Sequence, residues 1–295
     1  MESFQLADSS LRPNLYQSTD RHAAIGVFDS GIGGLSVARH IRHRLAHESL
    51  LYFSDSGYAP YGDKSESAIT ERCFKIVDFF IAHQVKAIVV ACNTATAAAI
   101  VQLRSHYPKL IIVGTEPGLK PALQMTQSKI VGVMATKSTL ESQKFLTLKA
   151  QLSAESGTHF VCQACIGLVD QIERGELHSD ASLDLVRSYV TPLLQRGADT
   201  IVLGCTHYPF VSHLIEQVIC EYKGENETNS VKLIDTGEAV ARRLRSLLEQ
   251  AELDNPEQST PQLTSWTTGR VDIVKNALTH AFLEQAISLT EYVTL

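Results

Sequence analysis

The sequence predicts an α/β chain of two similar lobes, each built around a parallel sheet. Three observations carry that prediction. Short apolar runs alternate with longer stretches of helical periodicity, the pattern of βαβ units. The strongest runs are rich in β-branched or other apolar residues throughout, as strands buried on both faces are. After four strands the pattern starts again, which suggests an internal duplication. The 295 residues suffice for one large domain or two medium ones, each with its own core.

The first run is Ile25–Phe28, followed by the turn Asp29-Ser30-Gly31 and a helix carrying Leu35, Ala38 and Ile41. Leu51–Asp55 comes next, then a loop and an amphipathic helix with Ile69, Phe74, Val77 and Phe80. Ala87–Ala91 and Ile111–Thr115 complete the first unit. The second opens with Ile130–Ala135 and a helix beginning near Thr139, then the weaker strand His159–Gln163 and the helix Leu183–Leu194. Thr200–Gly204 and Val231–Ile234 complete it. The tail from Glu238 reads as mostly helical, with Val240, Leu244 and Leu247 at helical spacing, and is expected to pack back on the first lobe. Lys223–Ser230 and Asp254–Thr264 read as polar loops. The expected organisation is a flexible leader over 1–22, a first lobe from 23–117 with 237–295, and a second from 118–236. Both lobes are expected to be Rossmann-like (flavodoxin-like), with the active site in the cleft between them.

Composition narrows the function classes. The formal charge is −6, which gives no footprint for nucleic acid. Arg42–Arg44 and Arg242–Arg245 could form local basic patches, although solvated helix faces are the commoner origin of such runs. No stretch approaches the roughly 20 apolar residues of a membrane helix, and the first 22 residues lack a signal-peptide core. Six irregularly spaced cysteines do not form a disulfide framework, so they read as free thiols in a reducing compartment.

Ligands of parallel α/β sheets bind beyond the carboxyl ends of the strands. Asp29 and Ser30 follow the first strand; Asp55 and then Pro60-Tyr61-Gly62 follow the second. Cys92-Asn93-Thr94 and Cys205-Thr206-His207 stand at equivalent positions of the two units. If the lobes face each other, the thiols approach one pocket from opposite sides. Inverting a carbon needs such a pair, a base on one face and a proton donor on the other. A thiolate serves as the base when donors, a helix N-terminus or a cation lower its pKa. Asn93, Thr94 and Thr206, at predicted helix starts, can hydrogen-bond a substrate carboxylate, and exposed backbone N–H groups there favour an anion. Asp29 and His207 are placed to exchange protons with the thiols or a substrate ammonium.

Other readings compete residue by residue. A lone cysteine ending an apolar strand is usually a small core residue; two at matching positions, each followed by a polar pair, favour function. Asp29 could be an N-cap or turn residue. Gly31-Ile32-Gly33-Gly34 lacks the G-x-G-x-x-G spacing, which rejects a dinucleotide site. Cys162-Gln163-Ala164-Cys165 lacks the second ligand pair of a structural zinc site and the context of a redox motif. Cys73 and Cys220, on predicted helices, read as packing residues.

At these positions the sequence resembles the glutamate racemases of the aspartate/glutamate racemase superfamily. The matching blocks are Val27–Gly34, Pro60-Tyr61-Gly62, Ala91–Ala95 and Leu203–Pro209, with weaker matches at Glu116–Pro121 and Asp235-Thr236-Gly237, spanning about residues 24 to 248. The resemblance implies a two-base mechanism without metal or other cofactor. In it Cys92 and Cys205 are the bases, one per stereochemical direction, and Asp29 and His207 assist. Ser30, Tyr61, Gly62, Asn93, Thr94 and Thr206 bind substrate, and Thr136 and Thr139 fit a further carboxylate-binding loop. Glu173 falls where the family often has a functional glutamate, although Ile166 stands where that segment commonly has proline; a surface-helix glutamate is the other reading.

The resemblance further implies a cytoplasmic bacterial enzyme, often a homodimer, making D-glutamate for peptidoglycan. Some relatives with an N-terminal leader are activated by UDP-N-acetylmuramoyl-L-alanine, which makes Met1–Ala23 an expected mark of that control. Aspartate racemase is the nearest rival activity, separable by relative turnover of the two amino acids. Decarboxylases and isomerases of the superfamily fit less well, because both cysteines are present. A non-catalytic role, such as the gyrase inhibition reported for some relatives, would not require both thiols.

Overall fold

The computed structural model describes residues 15–223, 231–256, 260–282 and 287–295. Thus residues 1–14 of the leader and 224–230 of the first polar loop lie outside the described residues. From Tyr16 onward the chain makes contacts with the first lobe and its tail. The Tyr16 hydroxyl donates to the Val85 carbonyl at 2.7 Å, and Arg21 pairs with Asp254 at 3.4 Å.

Two parallel sheets organise the chain. The first contains β1 (Ile25–Asp29), β2 (Leu50–Ser54), β3 (Ala87–Val90) and β4 (Ile111–Gly114). Helices α1 (Leu35–Arg44), α2 (Glu66–Ala82) and α3 (Asn93–His106) connect them. After α4 (Leu119–Met125), the second sheet takes β5 (Ile130–Ala135), β6 (His159–Ala164), β7 (Thr200–Leu203) and β8 (Lys232–Ile234). Its helices are α5 (Lys137–Glu141), α6 (Gln143–Ser156), α7 (Leu168–Glu173), α8 (Asp180–Gln195) and α9 (Ser212–Lys223). The chain then returns through α10 (Gly237–Gln250), β9 (Leu263–Thr267), α11 (Val271–Phe282) and β10 (Ile287–Tyr292).

Strand order in the first sheet is β10-β9-β2-β1-β3-β4, and in the second β6-β5-β7-β8. Leaving aside β9 and β10, both read second-first-third-fourth, so β1 corresponds to β5, β2 to β6 and β3 to β7. The tail expected to be mostly helical therefore contributes two strands, which extend the first sheet beyond β2. Their inward residues include Ser265 and Thr290, whose hydroxyls lie 2.7 Å apart. A buried polar pair of this kind gives no apolar alternation to read.

In the two sheets the inner strands β1, β3, β5 and β7 are covered on two faces, which is why they read as largely apolar runs. On the first, Ile25, Val27 and Val89 pack toward α1, α10 and α11, while Phe28, Ile88 and Val90 pack toward α2 and α3. On the second, Ile201 and Leu203 face α8 and α9, while Val131, Val133 and Val202 face α4 and α6. Cys73 is buried in the first lobe as expected, whereas Cys220 is exposed, on the outer side of α9.

Candidate functional site: a two-thiol cavity between the lobes

The carboxyl ends of the equivalent strands converge on a cavity of about 100 Å³. The first lobe lines it with Ser30, Tyr61, Gly62, Cys92, Asn93 and Thr94; the second with Thr136, Cys165, Cys205, Thr206 and His207. Asp29, Thr139 and Glu173 do not line it and stand directly behind those that do. Cys92 and Cys205 are only 5% and 6% exposed, so each thiol is withdrawn from bulk solvent.

Cys92 follows β3 and caps α3: its Sγ accepts from the Ala95 N–H at 3.4 Å. It also lies 3.7 Å from Ser30 Oγ. Burial, with the Asp29 carboxylate next in weight, pushes the Cys92 thiol up to about 12. Asn93 begins α3 and is 5% exposed, yet neither atom of its amide has a protein partner. A buried, unpaired amide is costly unless something else completes its hydrogen bonds. Thr94 Oγ1 is 3.2 Å from Thr136 Oγ1, which lies 2.9 Å from Thr139 Oγ1, forming a hydroxyl ladder across the lobes. Thr136 caps α5 through the Thr139 N–H.

Around Cys205 the groups differ. Its Sγ is 3.7 Å from His207 Nδ1, and His207 Nε2 is 2.6 Å from Glu173 Oε1. The same Glu173 oxygen accepts from the Ile32 N–H at 2.7 Å. Burial works against protonating His207, but hydrogen bonds with Cys205 and Glu173 outweigh it and hold the imidazole well above its ordinary value. Thr206 donates to Asp29 Oδ2 at 2.8 Å, and Gly31 N–H donates to Oδ1 at 2.9 Å. Burial raises the Asp29 carboxyl, with His207 and these hydrogen bonds opposing it. Thr206 precedes a 3₁₀ turn, Tyr208–Val211, so it does not open a long helix as expected.

The glycine loop rejected as a dinucleotide site has its own reason. A Cβ on Gly33 would lie 2.3 Å from His207 Nδ1, and one on Gly31 1.9 Å from Glu173 Oε1. Only glycine lets the first lobe approach the His207–Glu173 pair so closely. Glu173, the last residue of α7, is thus a partner of His207 rather than a solvated helix residue. Cys165, weighed above only for metal or redox chemistry, is a third thiol on the cavity wall. Its position after β6 could have been found by the strand-end rule that found the other two. Lys137, Ile166 and Asp170, also on the wall, carry no motif.

The fold defines an α/β protein of two parallel-sheet lobes with a two-thiol cavity between them, and comparison with known proteins places it among the racemases. The model of the Asp/Glu/Hydantoin racemase family matches residues 25–244, and the chain belongs to that family. Within it the chain falls with the glutamate racemases. It is 48% identical to the glutamate racemase of Ectopseudomonas mendocina over 266 residues, covering 90% of this chain and 96% of that one. It is 46% identical to that of Methylococcus capsulatus over 260 residues, covering 88% and 92%. The crystal structure of Escherichia coli glutamate racemase with L-glutamate and the activator UDP-MurNAc-Ala superposes with a TM-score of 0.77 at 30% identity, covering 92% of this chain and 98% of that chain. The Bacillus anthracis isoform RacE1 gives 0.80 at 29% identity, covering 93% and 98%.

Proposed function

We propose that this chain interconverts L- and D-glutamate by two-base proton transfer between Cys92 and Cys205. The observation that carries the reading is two buried thiols, from equivalent strand ends of two lobes, on one cavity of about 100 Å³. One sulfur, as thiolate, takes the α-proton; the C–H electron pair is delocalised toward the α-carboxylate; the other thiol gives its proton to the opposite face. Nothing is oxidised or reduced, and the enzyme holds one fewer proton on the donating sulfur and one more on the accepting one. No metal or other cofactor enters this scheme. The unpaired amide of Asn93 and the hydroxyls of Ser30, Thr94, Thr136 and Thr206 bind carboxylates, with the loop at Tyr61 and Gly62, while Thr139 holds Thr136 from behind. Asp29 and His207 assist the thiols, and Glu173 orients His207.

The test is α-proton exchange in heavy water, starting separately from L- and D-glutamate. Racemisation with solvent deuterium is expected for wild type, cut about 10²- to 10⁴-fold by Cys92→Ser or Cys205→Ser. Exchange unaffected by either substitution would sink the two-thiol scheme. Aspartate turned over faster than glutamate would shift the substrate.

The same reading carries the organisation into lobes at 23–117 with 237–295 and at 118–236. It also carries a cytoplasmic location, homodimeric assembly, and supply of D-glutamate to peptidoglycan and hence cell shape. Among the described residues no helix is long and apolar enough to cross a membrane. UDP-N-acetylmuramoyl-L-alanine, the activator bound by the E. coli relative, is the proposed activator here too. A groove of about 910 Å³ supports it, presenting Arg104, Lys109, Arg242 and Arg243 to an anionic ligand. Racemisation measured with and without the nucleotide decides; an unchanged rate removes it.

A further inference from the structure

Tyr61 lines the cavity, yet its hydroxyl points away from it. That hydroxyl donates to Asp55 Oδ2 at 2.7 Å. Asp55 is fully buried just after β2, and it gathers three further donors. Arg72, on α2, approaches it as a fork, Nε to Oδ2 and Nη2 to Oδ1, both at 2.7 Å. The Thr268 hydroxyl, beyond β9, donates to Oδ1 at 2.7 Å. Thr268 Oγ1 also accepts from the Gly57 N–H at 3.0 Å, and the Arg72 Nη1 reaches the Leu295 carbonyl at 3.2 Å. The chains fit so closely that a Cβ on Gly57 would lie 2.2 Å from the Thr268 carbonyl oxygen.

Among the described residues, the corresponding strand end of the second lobe has no such clamp. Cys165 stands there in place of a carboxylate, and Ile166 beside it is 71% exposed. The strands β9 and β10, which the second sheet lacks, are what bring Thr268 and Leu295 to the first lobe's loop.

We propose that Asp55, Arg72 and Thr268 are positioning residues for the substrate loop: they hold Tyr61 and Gly62 in the binding geometry from outside the cavity. The inference rests on the reading that this loop binds the substrate. A bidentate guanidinium–carboxylate pair fixes direction as well as distance, and burial of Asp55 and Tyr61 keeps water from replacing the Tyr61 hydroxyl as donor. The strands added to the first sheet thereby acquire a role in substrate affinity, although among the described residues none of theirs lines the cavity.

The experiment compares steady-state constants for glutamate in both directions, together with Tm, for wild type, Thr268→Val, Thr268→Ser and Arg72→Ala. Thr268→Val keeps the shape and removes both the hydrogen bond to the Asp55 carboxylate and the acceptor of the Gly57 N–H, so KM should rise about tenfold with kcat changed less than about threefold. Thr268→Ser, which restores the hydroxyl, should return KM to near the wild-type value. Arg72→Ala should raise KM further, and added guanidinium ion should recover part of the loss. An unchanged KM in Thr268→Val overturns the proposal. So do losses of kcat that track Tm and that neither serine nor guanidinium repairs, since those mark general destabilisation. Wild-type protein that does not racemise glutamate instead overturns the reading of the site, and the proposal falls with it.

Discussion

The two lobes share a strand order but surround their thiols differently. Cys92 meets a hydroxyl and a backbone N–H at the start of a helix, in a setting that favours the neutral thiol. Cys205 meets an imidazole that is itself anchored by a carboxylate. Duplicated topology therefore supplies matching positions, while the residues after each strand set the proton chemistry. The loops differ in the same way, one clamped through Asp55 and the other ending at an exposed Ile166. On the two-base reading, a symmetric task, adding a proton to either face, is served by chemically unequal halves.

That inequality can be broken from one side. Gly33→Ala puts a methyl group where His207 Nδ1 lies, and should displace the imidazole while leaving Cys92 and its cap untouched. The expected loss is about 10²-fold or more in racemisation, within the range of one general acid–base group. Exchange in heavy water should fall most for the enantiomer that depends on Cys205; equal loss for both would mean that the halves are not separable. Glu173→Gln is a milder version, expected to lower kcat about tenfold through a misoriented His207. Wild-type kcat in this variant would make Glu173 a packing residue.

Asn93→Ala probes the other half. The amide makes no protein hydrogen bond, so the substitution should raise KM for glutamate about tenfold with Tm unchanged or raised. A large fall in Tm would show that the amide stabilises the fold instead. The smallest effect is on stability against pH. His207 is raised above its unfolded value of about 6.5, so its pairing stabilises the fold fully below that pH. The stabilisation is lost as pH climbs through the folded value. The Tm gap between wild type and Glu173→Gln should therefore be wider near neutral pH and narrow in alkali; a gap that widens with rising pH contradicts the charged imidazole.

Strands β1, β3, β5 and β7 were legible because burial on both faces leaves an apolar run with turn residues at its end, and the less buried β6 and β8 because they fell where the repeat of that pattern requires a strand. Strands β9 and β10 were not, since their inward positions include Ser265 and Thr290, which pair with each other, and Thr267, which accepts from the Gly269 N–H, rather than following apolar alternation. The thiols were legible as strand-end residues, and by the same rule Asp55 was visible. Its partners were hidden: Thr268 reaches it across 213 residues of chain, and only the fold brings them together. Glu173 entered through family resemblance alone, because its contact with His207 also depends on tertiary approach, made at Gly31 and Gly33. Cys220 misled because helical position alone does not say which face is inward.

The burial of both thiols has a consequence for the cycle as a whole. On the two-base reading, a molecule that has converted one enantiomer is left with its protons transposed between the sulfurs, ready only for the return journey. Withdrawn from solvent as they are, Cys92 and Cys205 must be reset through the open mouth of the cleft before the forward reaction repeats. At high substrate concentration that reset, rather than C–H cleavage, becomes the slow event, and the enzyme behaves as two interconverting catalysts. A tracer of one enantiomer would then be driven temporarily past equilibrium by a large flux of the other, and a tracer that stayed at equilibrium would show a fast reset.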